Sequence, residues 1–440
     1  MILGAMLTAS GAPDDEAAWQ DPAEPANASI NPEWYRDIAL RAEAARLDFL
    51  FVADAVFTDP DGPPHYLSRF EPLSLLSWLA AATRNIGLVG TFSTSYNEPY
   101  NLARKLMSLD HLSGGRTAWN LVTSLGNRAA QNFGRDEQYD HATRYARAEE
   151  FLSVVQGLWR SYSADAFPRH RASGCYLDKS RVQVLDHQGT FFSVKGPLNI
   201  ERSPQGEPVI FQAGQSLQGQ RLAAQSADVV FGMSTSIDEG LAYRASLGEF
   251  QKAMHLKRHG PLILQKLILE ISDDDTSPAQ AFRHYADRHQ ASRELRARVS
   301  RGIEINLANP ATDTLPITDR IIDNAHANEG TWLSSALKKA RDRGDSLGGA
   351  LQQLLADKAL VFAGSPAHIA RQMEQWHDSG AADGFIIQIS SQSGMAALAE
   401  RLLPLLRQRG LYPRHYPTPS TLRQILRLVP EQGGVTVPTI

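Results

Sequence analysis

The chain has 440 residues, with 44 Lys and Arg against 48 Asp and Glu and a formal net charge of −4, so no electrostatic excess draws it to nucleic acid or anionic lipid. Hydrophobic residues make up 42% and charged residues 21%, a balance that excludes wholesale disorder and fibrous repeats and supplies a large buried core. The longest apolar stretches, such as 261–271, fall well short of the ~20 residues that a membrane-spanning helix needs.

In chain order, the opening Met1-Ile2-Leu3-Gly4-Ala5-Met6-Leu7 is apolar with no basic residue ahead of it, so it reads as a first strand and not as a secretory signal. Seven further β-rich runs follow at 49–53, 86–91, 116–123, 208–213, 228–233, 262–271 and 384–389. Segments of helical periodicity stand between or after them at 32–46, 72–83, 99–112, 139–162, 217–227, 241–257, 366–379 and 394–409. Short buried-type strands alternating with helices predict an α/β fold with parallel strands. Eight such units predict a single-domain (β/α)8 TIM barrel spanning 1–440, because closure leaves no strand edge unpaired. Two intervals are too long for simple crossovers. They predict insertions at 164–206, after strand 4, and at 273–357, after strand 7, both expected as walls or lids over a site. An extended tail at 410–440 is expected to wrap the surface or a second subunit.

The common nucleophile, metal and phosphate-loop patterns are absent: there is no G-x-S-x-G, H-E-x-x-H or Walker loop. A lone cysteine, Cys175, forbids an internal disulfide and a multi-thiolate metal site and fits a reducing cytoplasm. The histidines show no ligand-like spacing, so no metal is expected. Instead, polar residues gather just after the predicted strands, where a parallel barrel collects its active site. Asp54 ends the second strand, Thr91 the third, and Asn120 lies on the fourth.

The fifth strand runs into Phe211-Gln212-Ala213-Gly214-Gln215-Ser216 and a helix near Leu217. Free amides and the positive end of that helix suit a phosphate, although Ser216 reads equally as an ordinary helix cap. His141 and Tyr145, four apart, share one helical face and can address one anion. Seen alone, they also read as a His and a Tyr bonded to nearby backbone.

Longer stretches carry a resemblance. Thr83-Arg84-Asn85-Ile86-Gly87-Leu88, the run from Ser108-Leu109-Asp110-His111 through Trp119-Asn120-Leu121-Val122-Thr123-Ser124, and His141-Ala142-Thr143-Arg144-Tyr145 are three of them. Gly189-Thr190-Phe191-Phe192, Gln212-Ala213-Gly214-Gln215-Ser216 and Arg409-Gly410-Leu411-Tyr412 are others. Together they resemble the nitrilotriacetate, dibenzothiophene-sulfone and pristinamycin-type monooxygenases of the bacterial-luciferase-like superfamily, over nearly the whole chain from about Pro32.

That resemblance implies a two-component, FMNH2-dependent monooxygenase. Reduced FMN would come from a separate NAD(P)H:flavin reductase, react with O2, and oxygenate a small organic substrate. It also implies a cytoplasmic homo-oligomer. By family pattern Asp54, Thr91, Asn120, His141, Tyr145, Gly214 and Ser216 hold the flavin, with Thr91 and Asn120 also catalytic beside its ring. One departure is visible. Relatives carry a histidine-containing segment after the first strand, whereas this chain has no histidine before His65, so that role is vacant or filled from elsewhere. Rival readings are a deazaflavin-dependent oxidoreductase of the same superfamily, a flavin-binding barrel without turnover, and a phosphate-gripping isomerase or aldolase. The last lacks a convincing catalytic lysine or carboxylate at a strand end.

Overall fold

Eight apolar runs pair edge to edge, all parallel: Ile2–Leu7 (β1), Phe49–Val52 (β2), Gly87–Ser93 (β3), Thr117–Val122 (β4), Val209–Gln212 (β5), Val229–Gly232 (β6), Leu262–Ile271 (β7) and Gly384–Ile389 (β8). The ring closes because β8 pairs with both β7 and β1, setting Gly384 against Leu264 and Ile2. This architecture belongs to a computed structural model that describes residues 1–11, 18–58, 60, 64–124, 126–256, 259–288, 293–329, 331–356, 359–418 and 421–428.

Inside the ring, Met6, Phe49, Phe51, Val89, Ala118, Phe211, Phe231, Leu264 and Ile386 form one buried cluster, the packed interior expected of a barrel of this size. Phe49 and Phe211 meet edge to face, centroids 5.1 Å apart. The outer helices are Pro32–Ala44 (α1), Pro72–Ala82 (α2), Pro99–Ser113 (α3), His141–Trp159 (α4), Leu217–Ser226 (α5), Ile237–Ala253 (α6) and Pro366–Asp378 (α7). Proline stands in the first turn of α1, α2, α3 and α7, where its missing N–H costs nothing.

Several boundaries differ from the periodicity, for local reasons. Helix α6 begins four residues before 241 because Ser236 caps it, accepting the Glu239 N–H at 3.3 Å; residue 257 lies outside the described residues. The predicted 394–409 helix is interrupted by a π-turn at Leu398–Leu402 just ahead of Pro404, whose ring nitrogen has no N–H to continue the ladder. A ninth strand, Val361–Gly364, was not expected; it pairs with the far end of β7 and stays outside the ring.

The two insertions differ in where they leave the barrel. Segment 164–206 follows α4 and runs along α3 and α4: Phe192 lies under Arg147, which donates to the Thr94 carbonyl beyond β3, while later residues reach the far end of α3. Its carbonyls at Pro197 and Glu201 accept from Tyr100 Oη (3.3 Å) and face His111 Nε2 (2.9 Å) of α3. Ser203 and Gln205 both donate to Asp110, Gln205 Nε2 at 2.7 Å. Asp110 is buried beside the start of β4, accepting the Thr117 N–H at 2.9 Å, and burial pushes its pKa up to about 6. Segment 273–357 does leave from the end of β7, on the catalytic face, as a set of helices with their own cluster, including Leu295, Val299, Ile321, Leu333, Leu337 and Leu351.

The tail closes the opposite end of the barrel. Leu422, Ile425 and Leu426 join the inner cluster. Tyr412 Oη donates to the Arg46 carbonyl at 2.7 Å, and Tyr416 Oη to that of Leu47 at 2.5 Å. Residues 429–440, including the last prolines, lie outside the described residues. No helix among the described residues is long and apolar enough to cross a membrane.

Candidate active site

The C-terminal ends of β2 to β5 carry the residues singled out by sequence. Thr91 and Asn120 sit side by side on paired strands, 5% and 4% exposed. Asn120 Nδ2 donates to Thr91 Oγ1 at 2.9 Å, while Asn120 Oδ1 is buried without a hydrogen bond. Such an orphaned acceptor is costly unless a ligand completes it. Because Thr91 Oγ1 already accepts, its hydroxyl proton is left to donate outward. One donor and one acceptor therefore lie adjacent at the mouth.

Nearer the mouth, two residues after Thr91 and four after Asn120, Ser124 Oγ donates to Ser93 Oγ at 2.7 Å. Ser124, two residues past the end of β4, lies in the left-handed region, φ 43°, uncommon for a residue with a side chain and frequent at functional sites.

Beyond β5 the chain turns through Gly214 into α5. Ser216 caps that helix, accepting the Gly219 N–H at 3.2 Å, and its Oγ stands 3.4 Å from Tyr145 Oη. The helix-cap reading of Ser216 is what the structure shows. Tyr145 in turn meets His141, ring centroids 4.8 Å apart. Glycine is required at the turn: a Cβ on Gly214 or on Gly219 would stand 2.9 Å from the other's Cα, and one on Gly219 would also be 3.0 Å from Tyr145 Oη. The backbone of the turn is thereby pressed against the first turn of α5, whose amides have no acceptor within the helix.

Asp54 occupies the same rim but another contact. Its Oδ1 accepts from Arg69 Nε at 3.1 Å, and burial raises its pKa against the opposing pull of that guanidinium. The structure therefore joins Thr91 with Asn120, and His141 with Tyr145, Ser216 and Gly214, and holds Asp54 apart on Arg69.

Two features were missed from sequence. A cavity of about 680 Å³ opens where β7 and β8 end, walled by Ile268, Glu270, Ile387, Gln388, Ser390 and the 18–22 segment. It lies across the barrel from Ser216, and its visible signal is Gln388, a polar residue in the apolar run of β8. The second is His65. Its backbone N–H donates to Gly11 O at 3.0 Å, and its Nδ1 lies 2.9 Å from Ala9 O, so the first histidine of the chain folds back onto the segment after β1. A carbonyl only accepts, so Nδ1 carries the proton, and burial depresses the pKa to about 4. Among the described residues no group of three His, Cys, Asp or Glu is arranged to hold a metal ion.

A parallel barrel with its polar groups gathered at the strand C-termini has the architecture on which barrel enzymes build their active sites. The luciferase-like monooxygenase family model matches residues 13–383. The chain is 36% identical over 431 residues to N-acetyl-S-(2-succino)cysteine monooxygenase of Bacillus subtilis strain 168, covering 96% of this chain and 95% of the relative. It is 31% identical to nitrilotriacetate monooxygenase component A of Aminobacter aminovorans, covering 100% and 99%. Its fold matches EDTA monooxygenase from Chelativorans sp. BNC1 with a TM-score of 0.78 at 30% identity, over 98% of each chain. The chain belongs to the luciferase-like monooxygenases, and is a flavin-dependent enzyme of that class.

Proposed function

We propose that the flavin is FMN, taken up reduced, with its phosphate between Ser216, Tyr145, His141 and the Gly214 turn and its ring over Thr91 and Asn120. When bound, the reduced flavin supplies the electrons that activate O2 for insertion of one oxygen atom into an organic substrate. Everything else falls to the chain. The first-turn amides of α5 and the Tyr145 and Ser216 hydroxyls offer donors to an anion. Thr91 donates and Asn120 Oδ1 accepts, which complements the alternating carbonyl and N–H edge of the pyrimidine half of the ring. Asp54, fixed by Arg69, borders the same bed from β2. The observation that carries this reading is the approach of Tyr145 Oη to Ser216 Oγ, 3.4 Å, at the N-terminus of α5.

The substrate belongs in the cavity beyond β7 and β8, whose volume of about 680 Å³ lies within the ~300–1,000 Å³ usual for small-molecule sites. The 273–357 helices, rooted at its edge, serve as the wall that excludes water. The site offers no second nucleotide-binding unit of the G-x-G-x-x-G type, and the relative named component A supports a division of labour. Reduced FMN then arrives from a separate NAD(P)H:flavin reductase, in the cytoplasm, where that cofactor pool and a lone thiol are at home. Oxygen uptake tests this directly. With FMN, NADH and candidate substrates the protein alone consumes no oxygen, and adding a flavin reductase starts substrate-dependent product formation. Turnover without the reductase would refute the two-component reading.

A further inference from the structure

Helix α4 turns a continuous stripe toward the barrel: Ala148, Phe151, Val155 and Leu158, each buried, recur at intervals of three and four. The first member of that stripe, on the turn nearest the mouth, is Arg144. It is 8% exposed. Its Nη1 donates to the Ser124 carbonyl at 2.7 Å, its Nε is buried without a hydrogen bond, and among the described residues no carboxylate pairs with it. Asp140, the nearest acid on the helix, is exposed and accepts from the N–H (3.0 Å) and hydroxyl (2.5 Å) of Thr143.

A guanidinium taken out of water without a counter-charge is costly, and an apolar side chain would complete the stripe without that cost. Among the described residues nothing supplies that counter-charge, and the open position beside it is one a bound anion would fill. Arg147, one turn on, adds a second positive charge to the rim, donating to the Thr94 carbonyl and lying 4.6 Å over the Phe192 ring.

Position decides which anion. Ser124, which Arg144 holds, is bonded to Ser93 in the layer above Thr91 and Asn120. Tyr145, about 100° further round the helix, faces Ser216 instead. Arg144 thus stands on the ring side of the mouth and not at the phosphate cradle. We infer that Arg144 is the counter-charge for the isoalloxazine of bound reduced flavin, which sheds a proton near neutrality and becomes an anion while the oxidised ring is neutral. This rests on the ring placement proposed above. It makes Arg144 a positioning residue that selects the reduced cofactor from a pool containing both forms.

The test is to titrate wild type, R144M, R144Q and R144K with oxidised FMN and, anaerobically, with reduced FMN and reduced riboflavin. R144M and R144Q are expected to bind reduced FMN at least about tenfold more weakly with less than about a twofold change for oxidised FMN. A tenfold differential equals a bound-flavin potential about 30 mV more negative. Reduced riboflavin, lacking the phosphate, shows the same loss, and R144K recovers most of the affinity for the reduced form. R144Q keeps a polar side chain of similar length, so a folding defect confined to R144M does not decide the matter. Equal losses for both redox states would overturn the inference by making Arg144 a strut for Ser124. A loss confined to the phosphorylated flavin, or no loss, would overturn it too. In these cases wild-type affinity for reduced FMN leaves the proposed site standing; a wild type that binds no reduced flavin would remove both.

Discussion

One hydroxyl does two things at Ser216: it accepts the Gly219 amide as a helix cap and lies against Tyr145 Oη. Removing it should cost about 1 kcal/mol of helix stability and, separately, affinity for an anion. Replacing His141 and Ser216 together by Ala is expected to weaken reduced FMN binding by at least tenfold, about 1.4 kcal/mol, as read by anaerobic fluorescence titration; unchanged affinity would contradict the assignment. These residues are legible in sequence because their meaning is local: a cap follows a glycine turn, and residues four apart share a helical face. The Asp54–Arg69 pair, the orphaned Asn120 oxygen and the isolated charge of Arg144 are not legible in that way. Periodicity says which face a side chain takes and is silent about what, fifteen or more residues away, meets it there.

At the scale of elements, the turn between β5 and α5 shows why a flat approach needs glycine twice. A methyl at Gly219 would meet Gly214 Cα at 2.9 Å and Tyr145 Oη at 3.0 Å, so the turn would have to open. G219A is expected to raise the KM for reduced FMN several-fold. Thermal stability should fall less than a strained core would suggest, since Ala favours the helix by about 0.5–1 kcal/mol; a KM unchanged from wild type would argue that the turn is not part of the cradle. All eight ring strands are legible, because buried parallel strands read as continuous apolar runs. The path of 164–206 was not. Length identifies an insertion, whereas its path is set by partners distant in sequence, here Tyr100, Asp110 and Arg147. The ninth strand, Val361–Gly364, was hidden because four residues bordering a helical insertion make no period of their own.

Over the whole molecule, two buried titratable groups at opposite ends of the barrel pull stability in opposite directions with pH. Asp110, raised from 3.8 to about 6, binds its proton more tightly in the folded state. Its contribution is full below about pH 4 and is lost as pH rises through 6. His65, lowered from 6.5 to about 4, does the reverse: its contribution is present above pH 6.5 and is lost as pH falls toward 4. Between pH 4 and 6 the two slopes oppose each other in the wild type. In urea unfolding across that window D110N should lose stability more steeply on acidification than wild type, and H65Q should gain it. Parallel curves for all three proteins would show that neither group titrates as its burial demands. Nothing in the sequence marks either residue for this, since it follows from the 203–206 turn closing over Asp110 and the 9–11 segment closing over His65.

If the rim beyond β5 grips the phosphorylated end of a reduced flavin, affinity depends on both the phosphate and the residues around it. The most direct test compares dissociation constants for reduced FMN and reduced riboflavin, measured anaerobically on wild type and on the Y145F/S216A double variant. Wild type is expected to prefer FMN by at least about tenfold, and the variant to lose most of that preference with riboflavin affinity little changed. Equal affinity of the wild type for the two flavins, or an FMN preference that survives the double substitution intact, would contradict it.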